Sequence, residues 1–184
     1  MINTDEKIQV VYSDADTLSS FLNRNSFEYF MKVFEGLDIE VVLPQKVKDE
    51  LCRGRYAAIR KSAIDQMVRT NRIKLYDFQA DDAEAKTYHE LSKHMGQGEA
   101  AALALAKNSK RPCVVASNNF SDVIKYAEEN DIELWPTTTI MTKAVDMGFM
   151  SMETANTLWK NMKKDGLRLP SYEKFEDYYN QINS

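Results

Sequence analysis

Cysteine is scarce, with only Cys52 and Cys113 in 184 residues. Two are too few for a disulfide framework, and neither has the C-x-x-C spacing of a redox or metal motif, so both read as packing residues. The two histidines, His89 and His94, stand five positions apart, off the i, i+4 face of a metal-binding helix, and read as surface residues. No apolar run approaches the roughly 20 residues of a membrane span, nor is there a secretory signal, so the chain reads as a cytosolic protein with reduced thiols and no membrane partner. Positive charge is in deficit: 24 Lys and Arg against 28 Asp and Glu give a net charge of −4. That excludes coating nucleic acid by bulk charge and leaves room only for a local basic face. Four prolines, six glycines and no repeat or low-complexity tract leave no place for a linker. What is present is 43% apolar composition over a length suited to a single domain spanning residues 1–184, with about 150–184 as a helical extension packed on it.

Read in order, short β-branched runs alternate with helical patterns. Val10-Val11-Tyr12-Ser13 reads as a strand ending in Asp14 and Asp16, followed by one helix from Leu18 to Phe34 that Gly36 stops. Ile39 to Leu43 is a strand, and Pro44 opens a helix or helix pair reaching about Asn71. Arg72 to Phe78 is strand-like, Asp81 or Asp82 caps a helix through Leu91, and Gly98 opens an alanine-rich helix, Glu99 to Lys107. Pro112 to Ala116 is a buried strand, and Ser117-Asn118-Asn119 caps the helix carrying Val123, Ile124 and Tyr126. A last strand covers Ile132 to Trp135. Helices then start at Thr137, at Ser151 and at Tyr172, the last ending at Ile182. The alternation predicts an α/β protein: a three-layer α/β/α sandwich around a mostly parallel sheet, with a helical C-terminal extension.

Four places put polar or acidic residues at a strand end or helix start: Asp14 with Asp16, Glu50, Glu99, and Asn118-Asn119 with Asp122 one helical turn on. Carboxylates about 4 Å apart repel by roughly 4 kcal/mol per pair at an effective dielectric of 20, so a cluster calls for a cation or shifted pKa values. Oxygen ligands without nitrogen or sulfur suit Mg²⁺ or Mn²⁺. Each place also has a plainer reading. The aspartates and Ser117-Asn118-Asn119 fit helix caps, Glu50 a solvated helix residue, and Glu99 a carboxylate favoured by the helix dipole.

In this order the segments resemble the PIN-domain nucleases. Their first motif, an apolar strand, Asp, three residues and Leu, is matched by Val10-Val11-Tyr12-Ser13-Asp14 with Leu18. Their second acid, after a proline and a valine, is matched by Glu50 in Leu43-Pro44-Gln45-Lys46-Val47-Lys48-Asp49-Glu50-Leu51, and the third by Glu99 in the more specific Gly96-Gln97-Gly98-Glu99-Ala100-Ala101-Ala102-Leu103. The likeness runs on through Pro136-Thr137-Thr138-Thr139-Ile140 to Asp165-Gly166-Leu167-Arg168-Leu169, and looks like a small prokaryotic branch that includes toxins of toxin–antitoxin pairs. It implies metal-dependent hydrolysis of RNA, with Asp14, Glu50 and Glu99 as catalytic acids and Asp14, Glu99 and Asn118 as metal ligands. Asp16, Ser117, Asn119 and Thr137 would support them. The chain departs from the family at Asn118-Asn119, where one or two aspartates are usual, and Asp122 is the candidate replacement. RNA is the implied substrate, with an antitoxin protein and a second copy of the chain as implied partners.

Between Lys46 and Lys74 nine basic residues face three acids. Of these, Lys46, Arg53, Arg55 and Arg60 are candidate phosphate contacts and Tyr56 a candidate base-stacking residue; the plainer alternative is a solvated helix face. Two other functions compete. Asp14-Ala15-Asp16-Thr17 is similar to the D-x-D-x-T signature of haloacid dehalogenase-type phosphatases but places the threonine one residue early. A PIN-like fold serving only to bind RNA or protein is the second, and Asn118-Asn119 is its best support.

Overall fold

Each β-branched run becomes a short strand with a neighbour on either side or at the sheet edge. A computed structural model describes residues 7–22, 26–119 and 121–184, apart from the side chain of Asp122. The strands are β1 (Val10–Ser13), β2 (Glu40–Pro44), β3 (Ile73–Tyr76), β4 (Cys113–Ala116) and β5 (Glu133–Leu134). They pair in the order β3-β2-β1-β4-β5, every pair parallel. Because both faces of such a sheet are covered, the inner strands β2, β1 and β4 are near-continuously apolar instead of alternating.

Helices fill the two outer layers. On one face lie α1 (Ala15–Leu22), α2 (Phe27–Gly36), α4 (Ala57–Arg69), α8 (Thr137–Asp146), α9 (Met152–Lys164) and α10 (Phe175–Ile182). Phe21, Phe34, Ile64, Met141, Trp159 and Phe175 from these helices share one core with Val11, Val41 and Val114 of the sheet. The opposite face carries α5 (Ala83–Leu91), α6 (Gln97–Lys107) and α7 (Asp122–Glu129), with Leu103 and Val123 against Val115, and Leu105 against Val10 and Val42. α3 (Gln45–Leu51) follows β2 directly and touches α6. The alanines of α6 are all buried, and their small side chains let the helix lie close to the sheet. The architecture is the three-layer α/β/α sandwich that the alternation predicts.

Several boundaries differ from the sequence reading, each for a local reason. The single helix expected from Leu18 to Phe34 is two, because both the N–H and the hydroxyl of Ser26 converge on the Phe21 carbonyl and turn the chain. α2 runs through Gly36, and the left-handed residue that ends it is Asp38 at φ 58°. Gly36 serves packing instead: a Cβ there would lie 2.7 Å from Met147 and 2.8 Å from Phe149. Pro44 closes β2 before it caps α3. α10 starts at Phe175, not Tyr172, since the Tyr172 carbonyl is taken by the Trp159 indole and the Lys163 ammonium. Gly148, at φ 71°, and Ser151, whose hydroxyl accepts the Thr154 N–H, stop α8 and cap α9 as expected.

Candidate active site

β1 and β4 are neighbours in the sheet, with Ser13 opposite Ala116, yet the chain leaves them toward opposite sheet edges and opposite faces. A crevice opens at such a switch point, outside the carboxyl ends of the strands. Asp14 and Ser117 are the first residues past those ends. The Asp14 N–H extends the ladder to the Ala116 carbonyl (3.0 Å), and its Oδ1 accepts the Thr17 N–H at 2.7 Å, capping α1. The capping reading of Asp14 is therefore correct for one oxygen. The other, Oδ2, is buried without a hydrogen-bond partner of good geometry. Burial pushes the Asp14 carboxyl up from 3.8 to about 7, against the pull of the Ser117 hydroxyl and the Thr17 amide and hydroxyl; the Asp16 charge adds to the rise.

A helix that returns the chain to a parallel strand begins at this same edge, as α6 does before β4, and its N-terminal dipole favours negative charge there. Glu99 sits in the first turn of α6, where Oε2 accepts the Gly96 N–H at 3.3 Å and Oε1 accepts Asn119 Nδ2 at 2.8 Å. Glu50, near the end of α3, accepts the Gly98 N–H. Its carboxyl is raised first by desolvation, then by the charges of Asp16 and Glu99, so the fold draws these acids together. Gly98 makes room for it: a Cβ at that position would lie 2.7 Å from Glu50 Oε2.

The asparagines are spoken for. Asn118 Oδ1 accepts the Thr137 N–H and its Nδ2 donates to the Thr137 hydroxyl, both at 2.9 Å, so it caps α8 across 19 residues. Asn119 Oδ1 accepts the N–H and hydroxyl of Ser121. The expectation that Ser117-Asn118-Asn119 caps α7 is corrected, since Ser121 holds that position and the asparagines precede the helix. They consequently share no helical face with Asp122, which opens α7 and whose side chain lies outside the described residues.

Asp16, Asn118, Asn119 and Ser121 line a cleft of about 650 Å³, and its other wall is Gly166, Leu167 and Arg168. A family model described as a PIN domain matches residues 10–179. The chain belongs to the PIN-domain family. No match was found among curated proteins. PIN domains are in general metal-dependent nucleases, so the acids of this one are best judged as an ion site.

Among the described residues, no three His, Cys, Asp or Glu side chains are gathered tightly enough to form a ready-made cage. The donors that are present are nonetheless of the right kind for this PIN domain. The site offers oxygen atoms, one of them a buried carboxylate oxygen without a hydrogen-bond partner of good geometry, and a hard cation that keeps most of its own water needs only one or two carboxylates. A bound cation would also favour the ionised form of Asp14 over the neutral form that burial imposes.

Apart from Arg69, exposed in the last turn of α4, the basic stretch separates into two groups. Lys48 and Lys61 pair with Asp65, Arg72 with Glu28 and Glu35, and Lys74 with Glu40, so these four charges serve the fold. Lys46 lies over the Tyr88 ring, Arg53 is exposed, and the guanidinium groups of Arg55 and Arg60 lie 5.7 and 5.8 Å from the centre of the Tyr56 ring, itself 46% exposed. The loop between α3 and α4 thus presents an aromatic ring flanked by cations a few residues after Glu50. Arg168 belongs to a segment of the family resemblance, but the sequence assigns it no role in the site. Its signal was an Arg between two leucines after a turn glycine, at the far end of the chain from the other site residues.

Proposed function

We propose that this PIN domain is a ribonuclease that hydrolyses RNA phosphodiester bonds with Mg²⁺ or Mn²⁺, Asp14 and Glu99 holding the ion. The observation that carries the reading is the buried Oδ2 of Asp14, without a hydrogen-bond partner of good geometry, at the switch point of the sheet; the Asp16 charge acts on it, and the charges of Asp16 and Glu99 act on Glu50. When bound, the ion supplies Lewis acidity, a water of lowered pKa and compensation for transition-state charge. Glu50, tethered by the Gly98 N–H and with its proton affinity raised, accepts the proton of the attacking water. That water adds to phosphorus as the bond to one ribose oxygen breaks, and the departing alkoxide takes a proton from solvent. Asn119 holds Glu99 in place, Asn118 fixes the start of α8, and Ser117 bounds the Asp14 carboxyl. Tyr56 and its flanking cations grip the strand by stacking and phosphate contact. Asp122, at the start of α7, is a further candidate acid.

The purified protein should cut single-stranded RNA in Mn²⁺ or Mg²⁺, and Asp14→Asn or Glu99→Gln should lower the rate about a hundredfold or more. As the toxin of a toxin–antitoxin pair, acting on cytoplasmic RNA, the native protein should arrest growth on expression where Asp14→Asn does not. Equal cleavage by native protein and variants would overturn the assignment. A second reading, an RNA- or protein-binding PIN fold without cleavage, is favoured by the uncharged and fully engaged Asn118 and Asn119. It would show as RNA binding with no cutting in either metal.

A further inference from the structure

Asp16 lines the cleft and is near enough to Glu50 for their charges to interact, and a polyanion entering meets repulsion there unless a cation stands nearby. α9 supplies one. Its C-terminus closes in a turn in which Gly166 takes φ 87° and the N–H groups of Gly166 and Leu167 return to the carbonyls of Lys163 and Met162, each at 3.0 Å. This is the glycine-dependent reversal that ends many helices. Beyond it, Leu167 and Leu169 pack on the main core. Arg168, between them, is exposed and lines the cleft with Asp16, Asn118 and Asn119.

Two anchored leucines fix the direction of the residue they enclose, so the position of Arg168 is set by the backbone. Among the described residues its guanidinium makes no ion pair and no hydrogen bond. Arg72 and Arg111 are different: each is clamped between acids or amides. An exposed arginine that lines a polar cleft together with Asp16, and has no internal partner among the described residues, is free to take one from outside.

We propose that Arg168 binds a backbone phosphate of the RNA beside the scissile bond, so that the C-terminal helices complete the substrate site. The inference rests on the ribonuclease reading. A guanidinium meets two phosphate oxygens with two parallel N–H groups, which fixes the register of the strand as well as adding affinity. Phosphate contact of this kind carries no sequence preference.

The test is binding of a fluorescein-labelled single-stranded oligoribonucleotide, followed by anisotropy in EDTA across a salt series, with native protein, Arg168→Ala and Arg168→Lys. Arg168→Ala should bind about tenfold more weakly and lose about 0.7 from the salt slope, the share of one phosphate on a single strand. Arg168→Lys should recover the slope but only part of the affinity, because it restores the charge without the fork. The melting temperature of both variants should match the native protein. Native affinity and slope in Arg168→Ala, while the native protein still cuts RNA in Mn²⁺, would overturn the role of Arg168 and leave the nuclease reading standing. Neither binding nor cutting by the native protein would overturn both. Loss of binding with a lowered melting temperature and no recovery by lysine would mark a purely structural residue and also overturn the proposal.

Discussion

At the scale of the residue, Asp14 divides its two oxygens between opposed demands: Oδ1 completes a helix, while Oδ2 is buried without a hydrogen-bond partner of good geometry. With its carboxyl raised from 3.8 to about 7, the folded protein holds a proton across that window that the unfolded chain has already released. Stability without metal should therefore fall as pH rises from about 4 to about 7 and stay level above it. The contribution is on the order of 4 kcal/mol, at 1.36 kcal/mol per pH unit. Denaturant unfolding in EDTA at several pH values, native against Asp14→Asn, isolates it from Glu50, which shifts in the same direction. The variant should be the more stable of the two at pH 8, and Mn²⁺ should narrow the gap by stabilising only the native protein. Equal pH profiles would show that Asp14 is not the group responsible.

At the scale of the element, what was legible was whatever a short window contains. β1, β2 and β4 stood out as apolar runs, and Glu99 as the acid in the first turn of an alanine helix. The break between α1 and α2 was not, because it depends on Ser26 reaching back to one carbonyl. Nor was the work of Asn118. A capping side chain normally serves its own helix, but here the adjacency of β4 and β5 brings the start of α8 to it. Replacing Asn118 by alanine should cost about 1–2 kcal/mol, since it uncaps α8 and strips the buried Thr137 hydroxyl of a donor. Denaturant midpoints measure this directly, and a change of a few tenths would mean that water replaces the amide.

At the scale of the molecule, the acids of the site were each marked locally, but their convergence depended on strand order, and Arg168 depended on where the last helices lie. Those helices share the main core. Trp159 is fully buried, 5.6 Å between ring centres from both Phe175 and Tyr178, with its indole N–H on the Tyr172 carbonyl. Trp159→Ala should cost about 3–5 kcal/mol. Unfolding should remain a single transition, because one cluster joins α9 and α10 to the sheet. An early, separate transition would show residues after about 150 to be an independent unit. The two ends of the sheet also differ in charge. At the amino end Lys7, Arg72, Lys74 and Arg111 are matched against Asp38, Glu28, Glu35 and Glu40, whereas Asp14, Asp16, Glu50 and Glu99 at the carboxyl end form no ion pair among the described residues.

Gly98 limits how the protein can be improved by engineering. Exchanging a helical glycine for alanine is a routine way to raise stability, because it restricts the unfolded chain and suits the helix. At this position the added methyl would occupy the volume held by the Glu50 carboxylate, with Val47 closing the other side at 3.4 Å. A screen for thermostability alone would accept that change and discard one wall of the site, so selection for robustness and selection for chemistry pull apart at a single hydrogen atom.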